Sequence, residues 1–181
     1  MVFMGSKKYP QENDFVSFVR NRGGSYNATT TGEHTTFYFG IQEKYLLPAL
    51  DRFAQFFISP LLSKDAIARE REAVDSEFQE DSTSDLNRIL QLFCSFAPKN
   101  HPTSKFLYGN LKTLRDQIDE DSLYLELQKF HQRHYSAHRM KLAIRANLPL
   151  DTLEQYVKEC FSNVPVNNLP SEDFEEFKNF A

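Results

Sequence analysis

The sequence lacks both a disulfide framework and a membrane-spanning segment. Its two cysteines, Cys94 and Cys160, are too few for a disulfide framework and form no Cys-x-x-Cys metal pair. No stretch approaches the roughly 20 apolar residues of a membrane-spanning helix. A formal net charge of −4 favours neither nucleic acid nor an anionic membrane as a partner. We therefore expect a protein of a reducing compartment that binds neither.

Tryptophan is also absent, but bulky apolar residues are plentiful. The 17 phenylalanines and 8 tyrosines are sufficient for a substantial core. A length of 181 residues suits one domain by the rough prior of 100–200 residues. We expect a domain body over residues 1–165, followed by a weakly structured acidic tail over residues 166–181.

The apolar periodicity predicts an α+β fold with helices packed on one face of an antiparallel sheet. A helix is expected over about residues 11–22, and a hairpin follows with strands near 25–31 and 34–41. "RMKLAIRAN" alternates and predicts a third strand, whereas residues 99–119 read as a loop. Three strands are few for this length, so pieces of the sheet are expected to be missing. Further helices are predicted over "EKYLLPALDRFAQFFISP", "SKDAIAREREAVDSEFQED", "SDLNRILQLFCSFA", "EDSLYLELQKFHQRHYS" and "PLDTLEQYVKECFSNVP".

The first four residues form an apolar stub, Met1–Met4, which ends at Gly5. The stub is too short for a signal peptide, and the basic pair Lys7-Lys8 follows it instead of preceding it. No capping residue precedes it as a helix start would require. We expect it to be the end of an element whose beginning is absent.

Three histidines in "FHQRHYSAH" form the first candidate metal site. His131, His134 and His138 are spaced i, i+3, i+7, which would align them on one helix face, and imidazole is the commonest metal ligand. However, the run lies where the helix should end, so His138 is expected beyond it. Protonated histidines there interact well with the helix dipole, and we favour that interpretation.

A pair of carboxylates in "REREAVDSE" forms the second candidate. Glu70 and Glu77 are separated by about two helical turns, so they share a face with small apolar residues between them. A buried carboxylate must be paired, hydrogen-bonded or bound to metal. The alternative is a solvated charged face with pairs such as Arg69–Glu72, and periodicity alone favours it.

The third candidate is the strand Tyr26–Thr31, which is mostly small and polar. An exposed edge strand can accept a peptide as an added strand. The alternative is an edge kept polar against aggregation, which is the interpretation that spacing alone favours.

Several stretches, taken together and in this order, resemble one enzyme family. Their resemblance is to the N-terminal catalytic domain of the insulin-degrading enzyme, nardilysin and pitrilysin family, and it includes features of the nardilysin branch. Members are inverted-motif zinc metalloendopeptidases with an α/β sandwich fold. The stretches are "MVFMGSKKYPQEN", "GGSYNATTTGEHTTFYF", "ALDRFAQFFISPL", "REREAVDSE" and "SKFLYGN".

The family's His-x-x-Glu-His motif, which supplies two zinc ligands and the general base, is absent from this sequence. In the family it directly precedes the stretch that matches "MVFMGS". The resemblance therefore implies that Met1–Met4 are the last turn of the zinc-binding helix and that the chain is truncated. It also implies that Glu77 is the third zinc ligand and that Glu70 orients a zinc-binding histidine.

The resemblance assigns substrate contacts as well. Asn27 and Ala28 match edge-strand residues that hydrogen-bond the substrate backbone, and Phe3 matches a residue that lines the pocket beside the scissile bond. His131 and the other two histidines match no family ligand.

Three functions are compatible with these observations. The first is a segment of a zinc endopeptidase, inactive alone because catalytic zinc needs three protein ligands and one carboxylate cannot hold it tightly. Its partners would be peptide substrates and the family's C-terminal half, with the oligomeric state open. The second is a catalytically dead module that binds peptides or a full-length relative. The third is an unrelated structural α+β domain. The family implies the cytosol, with mitochondrial or cell-surface association also open.

Overall fold

Two compact units make up the chain in a computed structural model that describes residues 4–171. One unit combines Met1–Ser63 with Gln128–Leu169, and the other combines Lys64–Leu127 with Pro170–Ala181. The expected division into a body and a tail over residues 166–181 stays a prediction, because residues 172–181 lie outside the described part.

Helices dominate, and the described residues contain one hairpin. This arrangement confirms the predicted α+β class and the predicted order of the helices and the hairpin. Short 3₁₀ turns cover Glu43–Tyr45, Pro102–Ser104 and Ala137–Arg139, and a π-helical turn covers Lys112–Asp116. The main elements are α1 Asp14–Arg20, β1 Ser25–Thr30, β2 Thr35–Gly40, α2 Leu46–Ile58, α3 Lys64–Asp81, α4 Asp85–Ser95, α5 Glu120–His134 and α6 Leu150–Phe161.

In the first unit, a glycine pair joins α1 to the hairpin. Gly23 adopts a positive φ of 69°, which glycine reaches at little cost. At Gly24 a Cβ atom would lie 2.4 Å from the carbonyl oxygen of Gly40. Only glycine permits this close approach, so β1 begins directly beside the end of β2.

The hairpin is antiparallel, and its register runs from Ser25 opposite Gly40 to Thr30 opposite Thr35. Every residue of β1 is exposed, which confirms the predicted exposed edge strand. On β2, Phe37 and Phe39 are half-buried and pack against the helical core. The hairpin is therefore held in place by the core-facing side chains of β2 and by the edge-on contact of Tyr26 of β1 with Phe15 of α1.

Helix α2 carries the core of this unit. Its apolar residues follow the predicted i, i+4, i+7, i+11 spacing, and Pro48 lies in its first turn as predicted. The Phe53 ring lies 5.1 Å from Phe39 and 5.6 Å from Phe15, measured between centroids. Helix α6 joins a second cluster around Leu50 through Leu153 and Cys160.

The segment "RMKLAIRAN" differs from its prediction as a strand. Residues 140–146 have no ladder partner within the described part of the chain. Their alternation survives, since Ile144 and Ala146 pack against the second cluster while Arg145 is exposed. The pattern therefore reported the half-buried positions of Ile144 and Ala146 correctly, although Leu142 is 45% exposed, and a strand also needs a hydrogen-bonded neighbour.

The second unit contains α3, α4 and the long connection that follows them. On α4 only Cys94 is buried, while Leu86 and Phe93 of the helix and Phe96 directly after it are at least 72% exposed. Both cysteines of the chain are free thiols. Within residues 4–171, no helix has the length and apolar character that crossing a bilayer requires.

A matched pair of leucines in the first unit tests this description of the core. Leu50 is 2% exposed and Leu150 is 81% exposed. We expect Leu50→Ala to lower the free energy of unfolding by about 2–5 kcal/mol, because it leaves a cavity. Leu150→Ala should change it by less than about 0.5 kcal/mol. Urea denaturation measures both, and equal effects would contradict the position of the core.

Candidate functional site

Helix α3 carries both predicted carboxylates, Glu70 and Glu77, in one uninterrupted helix. Seven residues advance a helix by about 700°, so the two side chains leave it within about 20° of each other. Glu70 is half-buried and Glu77 is exposed. The two glutamates therefore lie on the same face of α3, as predicted, but they differ in solvent exposure.

A connection within the second unit braces the neighbouring face of α3. The backbone N–H of Leu111 donates to Asp75 Oδ1 at 2.8 Å, and the Tyr108 hydroxyl donates to Asp81 Oδ2 at 2.9 Å. At Gly109 a Cβ atom would lie 3.0 Å from Val74 Cγ1. These contacts hold α3 at two places, around Val74 and Asp75 and again nearly two turns later at Asp81, and they fix the rotation of the helix about its axis.

The prediction that residues 99–119 form a loop did not anticipate their contacts with α3. Asn110 Oδ1 accepts from the Thr113 N–H at 3.0 Å, and the Asn110 N–H donates to Thr113 Oγ1 at 3.2 Å. This reciprocal pair resembles a capping box and opens the π-helical turn. The sequence signal for it was the Asn-x-x-Thr spacing after Gly109.

A complete zinc site does not fit the described residues. Across residues 4–171, no group of three histidine, cysteine, aspartate or glutamate side chains is positioned to hold a metal ion. Glu77 offers one carboxylate, and a catalytic zinc takes three protein ligands. The remaining ligands would have to come from another segment.

The β1 edge has one local feature that bears on binding. The Ala28 N–H donates to the side-chain oxygen of Asn27 at 2.8 Å. Opposite them on β2 lie Tyr38 and Phe37. The predicted contact residues therefore lie together on the exposed strand, and Phe3 lies outside the described residues.

Comparison with known proteins gives the family. Residues 1–110 match the model of insulinase (peptidase family M16), and residues 122–181 match the model of the peptidase M16 inactive domain. The chain belongs to the insulinase family of peptidases. This result confirms the resemblance and excludes an unrelated structural domain.

Several relatives support the assignment. The chain is 50% identical to nardilysin of Mus musculus over 96% of its own length and 41% identical to insulin-degrading enzyme of Mus musculus over 97%. A crystal structure of pitrilysin superposes with a TM-score of 0.90 at 37% identity, covering 96% of the chain. The chain spans 15% of the nardilysin and 18% of each of the other two.

The three histidines of this insulinase-family chain lie in different surroundings within the first unit. His131 and His134 belong to α5, and His138 lies in the following 3₁₀ turn, beyond the helix as expected. His131 stacks on Tyr135 with ring centroids 4.8 Å apart, whereas His134 contacts Phe130 at 4.5 Å. His138 Nδ1 is hydrogen-bonded to Ser136 at 2.8 Å. The three rings therefore do not form a ligand set.

Burial lowers the pKa of His131 below its usual value near 6.5, and a hydrogen bond with the Phe56 backbone opposes this shift only in part. The unfolded chain then binds more protons than the folded one below about pH 6.5. We expect stability to be greatest above that pH and to fall as the pH drops below it.

An NMR titration of the imidazole protons, assigned with His131→Gln, measures this pKa directly. Urea denaturation at a series of pH values should show a shallower acid-side loss of stability in His131→Gln. A measured pKa at or above 6.5 would contradict the buried position of the ring.

Proposed function

We propose that this chain is the segment of a zinc metalloendopeptidase that contributes one metal ligand, Glu77, and a substrate-binding edge strand, β1. The observation that carries the proposal is the position of Glu77. It lies exposed on a braced helix, aligned with Glu70, inside the region that matches the insulinase family model.

The two carboxylates have separate roles in this proposal. Glu77 is solvent-accessible, so its anionic oxygen can reach a metal held by ligands from another segment. Glu70 is half-buried on the same face, where a carboxylate can accept a hydrogen bond from an imidazole and fix its orientation. When bound, zinc would polarise the scissile carbonyl of a peptide.

Strand β1 would bind the substrate through its backbone. A peptide added antiparallel to an exposed edge gains main-chain hydrogen bonds that do not depend on its sequence. The Ala28 N–H now donates to Asn27, so an incoming carbonyl oxygen would replace the Asn27 side chain as its acceptor. Asn27 would then be free to bond the substrate itself. Phe3 is proposed to line the pocket beside the scissile bond.

A second function is favoured by the absence of a three-ligand group within residues 4–171. In this alternative, the chain binds peptides on β1 without cleaving them. Under either function its proposed partners are peptides, and under the first also the family's C-terminal half. We propose the cytosol as its compartment.

Complementation distinguishes the two functions. The chain would be extended upstream with the strand pair and the His-x-x-Glu-His helix of a relative and then joined to a matching C-terminal half. We expect a fluorogenic peptide to be hydrolysed by this assembly and not by the 181-residue chain. Hydrolysis by neither, with peptide binding retained, would favour the alternative.

Variants of the active assembly test the ligand assignment. Glu77→Gln should abolish zinc retention, because it removes a direct ligand. Glu70→Gln should lower activity about 10- to 100-fold, as expected for a residue that orients a ligand. His134→Ala is the control and should change neither. Zinc content and activity measure both effects, and a zinc-loaded, active Glu77→Gln enzyme would refute the assignment.

Ala28→Pro tests the role of the β1 edge in the same assembly. Proline removes the backbone N–H, so KM should rise about 2- to 10-fold for a lost hydrogen bond. Ala28→Gly alters the same position but keeps the N–H, and its KM should stay near the original. Hydrogen exchange of β2 amides checks that the hairpin is intact. Equal KM values in the two variants would argue against backbone pairing at Ala28.

A further inference from the structure

The backbone of β1 alternates between groups that face β2 and groups that face the open edge. Directly after the strand, the Thr31 N–H donates to the His34 carbonyl at 2.8 Å, so Thr31 bonds inward, across the hairpin. Along an antiparallel ladder, inward-bonding and outward-facing residues alternate. The Ala28 N–H agrees with this alternation, because it bonds to the Asn27 side chain and not to β2. The outward-facing N–H and C=O groups therefore belong to Tyr26, Ala28 and Thr30.

The side chains of these outward-facing residues lie on the side of the hairpin that faces the helices. Tyr26 lies opposite Phe39, and Ala28 lies opposite Phe37. Directly opposite residues place their side chains on the same face of a sheet, and both phenylalanines pack against the helical core. The Tyr26 ring also contacts α1, since its centroid lies 6.2 Å from that of Phe15. Tyr26 therefore combines a backbone that faces the open edge with a side chain on the helical side.

Arg20, in the last turn of α1, lies beside the Tyr26 ring. Its guanidinium carbon is 5.3 Å from the ring centroid, which is within the range of a cation–π contact. The residue is exposed. Asp14 is the only carboxylate of α1, and it pairs with Arg52 at 2.8 Å. Within residues 4–171, Arg20 forms no ion pair with a carboxylate, so its charge can be used by a ligand.

The order of contacts places Arg20 toward the open edge of β1. The Phe15 ring contacts both Phe39 of β2 and Tyr26 of β1, at 5.4 and 6.2 Å between centroids. Arg20 contacts Tyr26, which is one strand further out. An added strand would lie about 4.8 Å beyond β1. A long acidic side chain on that strand and the Arg20 guanidinium can meet across this distance.

We propose that Arg20 selects peptides that carry an acidic side chain opposite Tyr26. A peptide residue at that position would exchange two backbone hydrogen bonds with Tyr26, because the Tyr26 backbone faces outward. These bonds would fix the side chain of the peptide residue on the helical face, beside the guanidinium. Glutamate or aspartate there would form an ion pair with Arg20. This inference rests on the proposed binding of peptides to β1, and it adds the class of peptide.

The net charge of the chain opposes this preference. A formal charge of −4 would by itself favour basic peptides over acidic ones. A preference for an acidic peptide would therefore come from a local contact and not from the overall field. Exposed ion pairs change affinity by about two- to fivefold, and we expect a preference of this size.

An NMR titration of the 181-residue chain with short peptides tests the proposal. The probe is an eight-residue peptide with blocked ends, in which threonine alternates with alanine and one central residue is glutamate. Two control peptides carry glutamine or lysine at the central position. We expect the glutamate peptide to bind about two- to fivefold tighter than the glutamine peptide and the lysine peptide to bind most weakly. The amide signals of Tyr26, Ala28 and Thr30 should shift during each titration.

Variants of Arg20 separate its charge from the shape of its side chain. Arg20→Gln should abolish the preference, and Arg20→Lys should keep it. Arg20→Glu should reverse the order, so that the lysine peptide binds most tightly. Sodium chloride at about 500 mM should weaken the preference of the original chain, because it screens exposed charges.

Arg22→Gln is the matched control, because it removes the same charge two residues away. The Arg22 guanidinium lies 3.7 Å from the Phe18 ring centroid and donates to the Phe18 carbonyl. We expect this variant to keep the preference for glutamate. Unchanged amide signals of β2 in each free variant check that the hairpin is intact.

The possible results distinguish this inference from the proposed function. Equal affinity for the glutamate and glutamine peptides, with shifts at β1, would overturn the role of Arg20 and leave β1 as a peptide site. A preference that persists in Arg20→Gln would also overturn that role. No shift at β1 with any of the three peptides would overturn both the role of Arg20 and the proposed binding of peptides to this strand.

Discussion

The packing of phenylalanines on α2 is the interaction on which the hairpin depends. A two-stranded hairpin is marginally stable by itself in water. Here β2 presents Phe37 and Phe39 to the core, and Phe39 lies 5.1 Å from Phe53 between ring centroids. β1 buries none of its own residues, and it is positioned by its pairing with β2 and by the contacts of Tyr26 with Phe15 and Arg20 of α1. An edge strand positioned through its neighbour keeps its own outer edge free for a ligand.

Much of this unit was predictable because its signals are local. The spacing of Leu46, Leu50, Phe53 and Phe57 identifies α2, and a run of threonines and aromatics identifies the hairpin. Residues 140–146 show that a local pattern does not by itself predict a strand. Alternation of apolar residues reports which side chains face the core, and that part was correct for Ile144 and Ala146. Strand formation also depends on a neighbouring backbone, which no local pattern encodes.

The candidate site was less predictable, and for a related reason. Helical spacing correctly placed Glu70 and Glu77 on one face, yet it favoured an ordinary solvated surface. Only the family resemblance assigned Glu77 to a metal, since metal sites are assembled from ligands that are distant in sequence. The histidines show the opposite case, because three ligand-type residues close in sequence have separate surroundings in the structure. The type and spacing of residues therefore identify candidate metal ligands, and the three-dimensional surroundings decide which of them can bind a metal.

The exposure of Glu77 has an energetic consequence for the proposed metal centre. A buried, unpaired carboxylate would cost several kcal/mol and would make folding depend on the metal. An exposed carboxylate stays hydrated, so α3 can fold before any other ligand is present. The bonds of Asp75 and Asp81 to Leu111 and Tyr108 already fix the rotation of this helix. The position of Glu77 on the helix is thus set by contacts that use neither zinc nor substrate, which would lower the entropy lost if the proposed site is completed from separate segments.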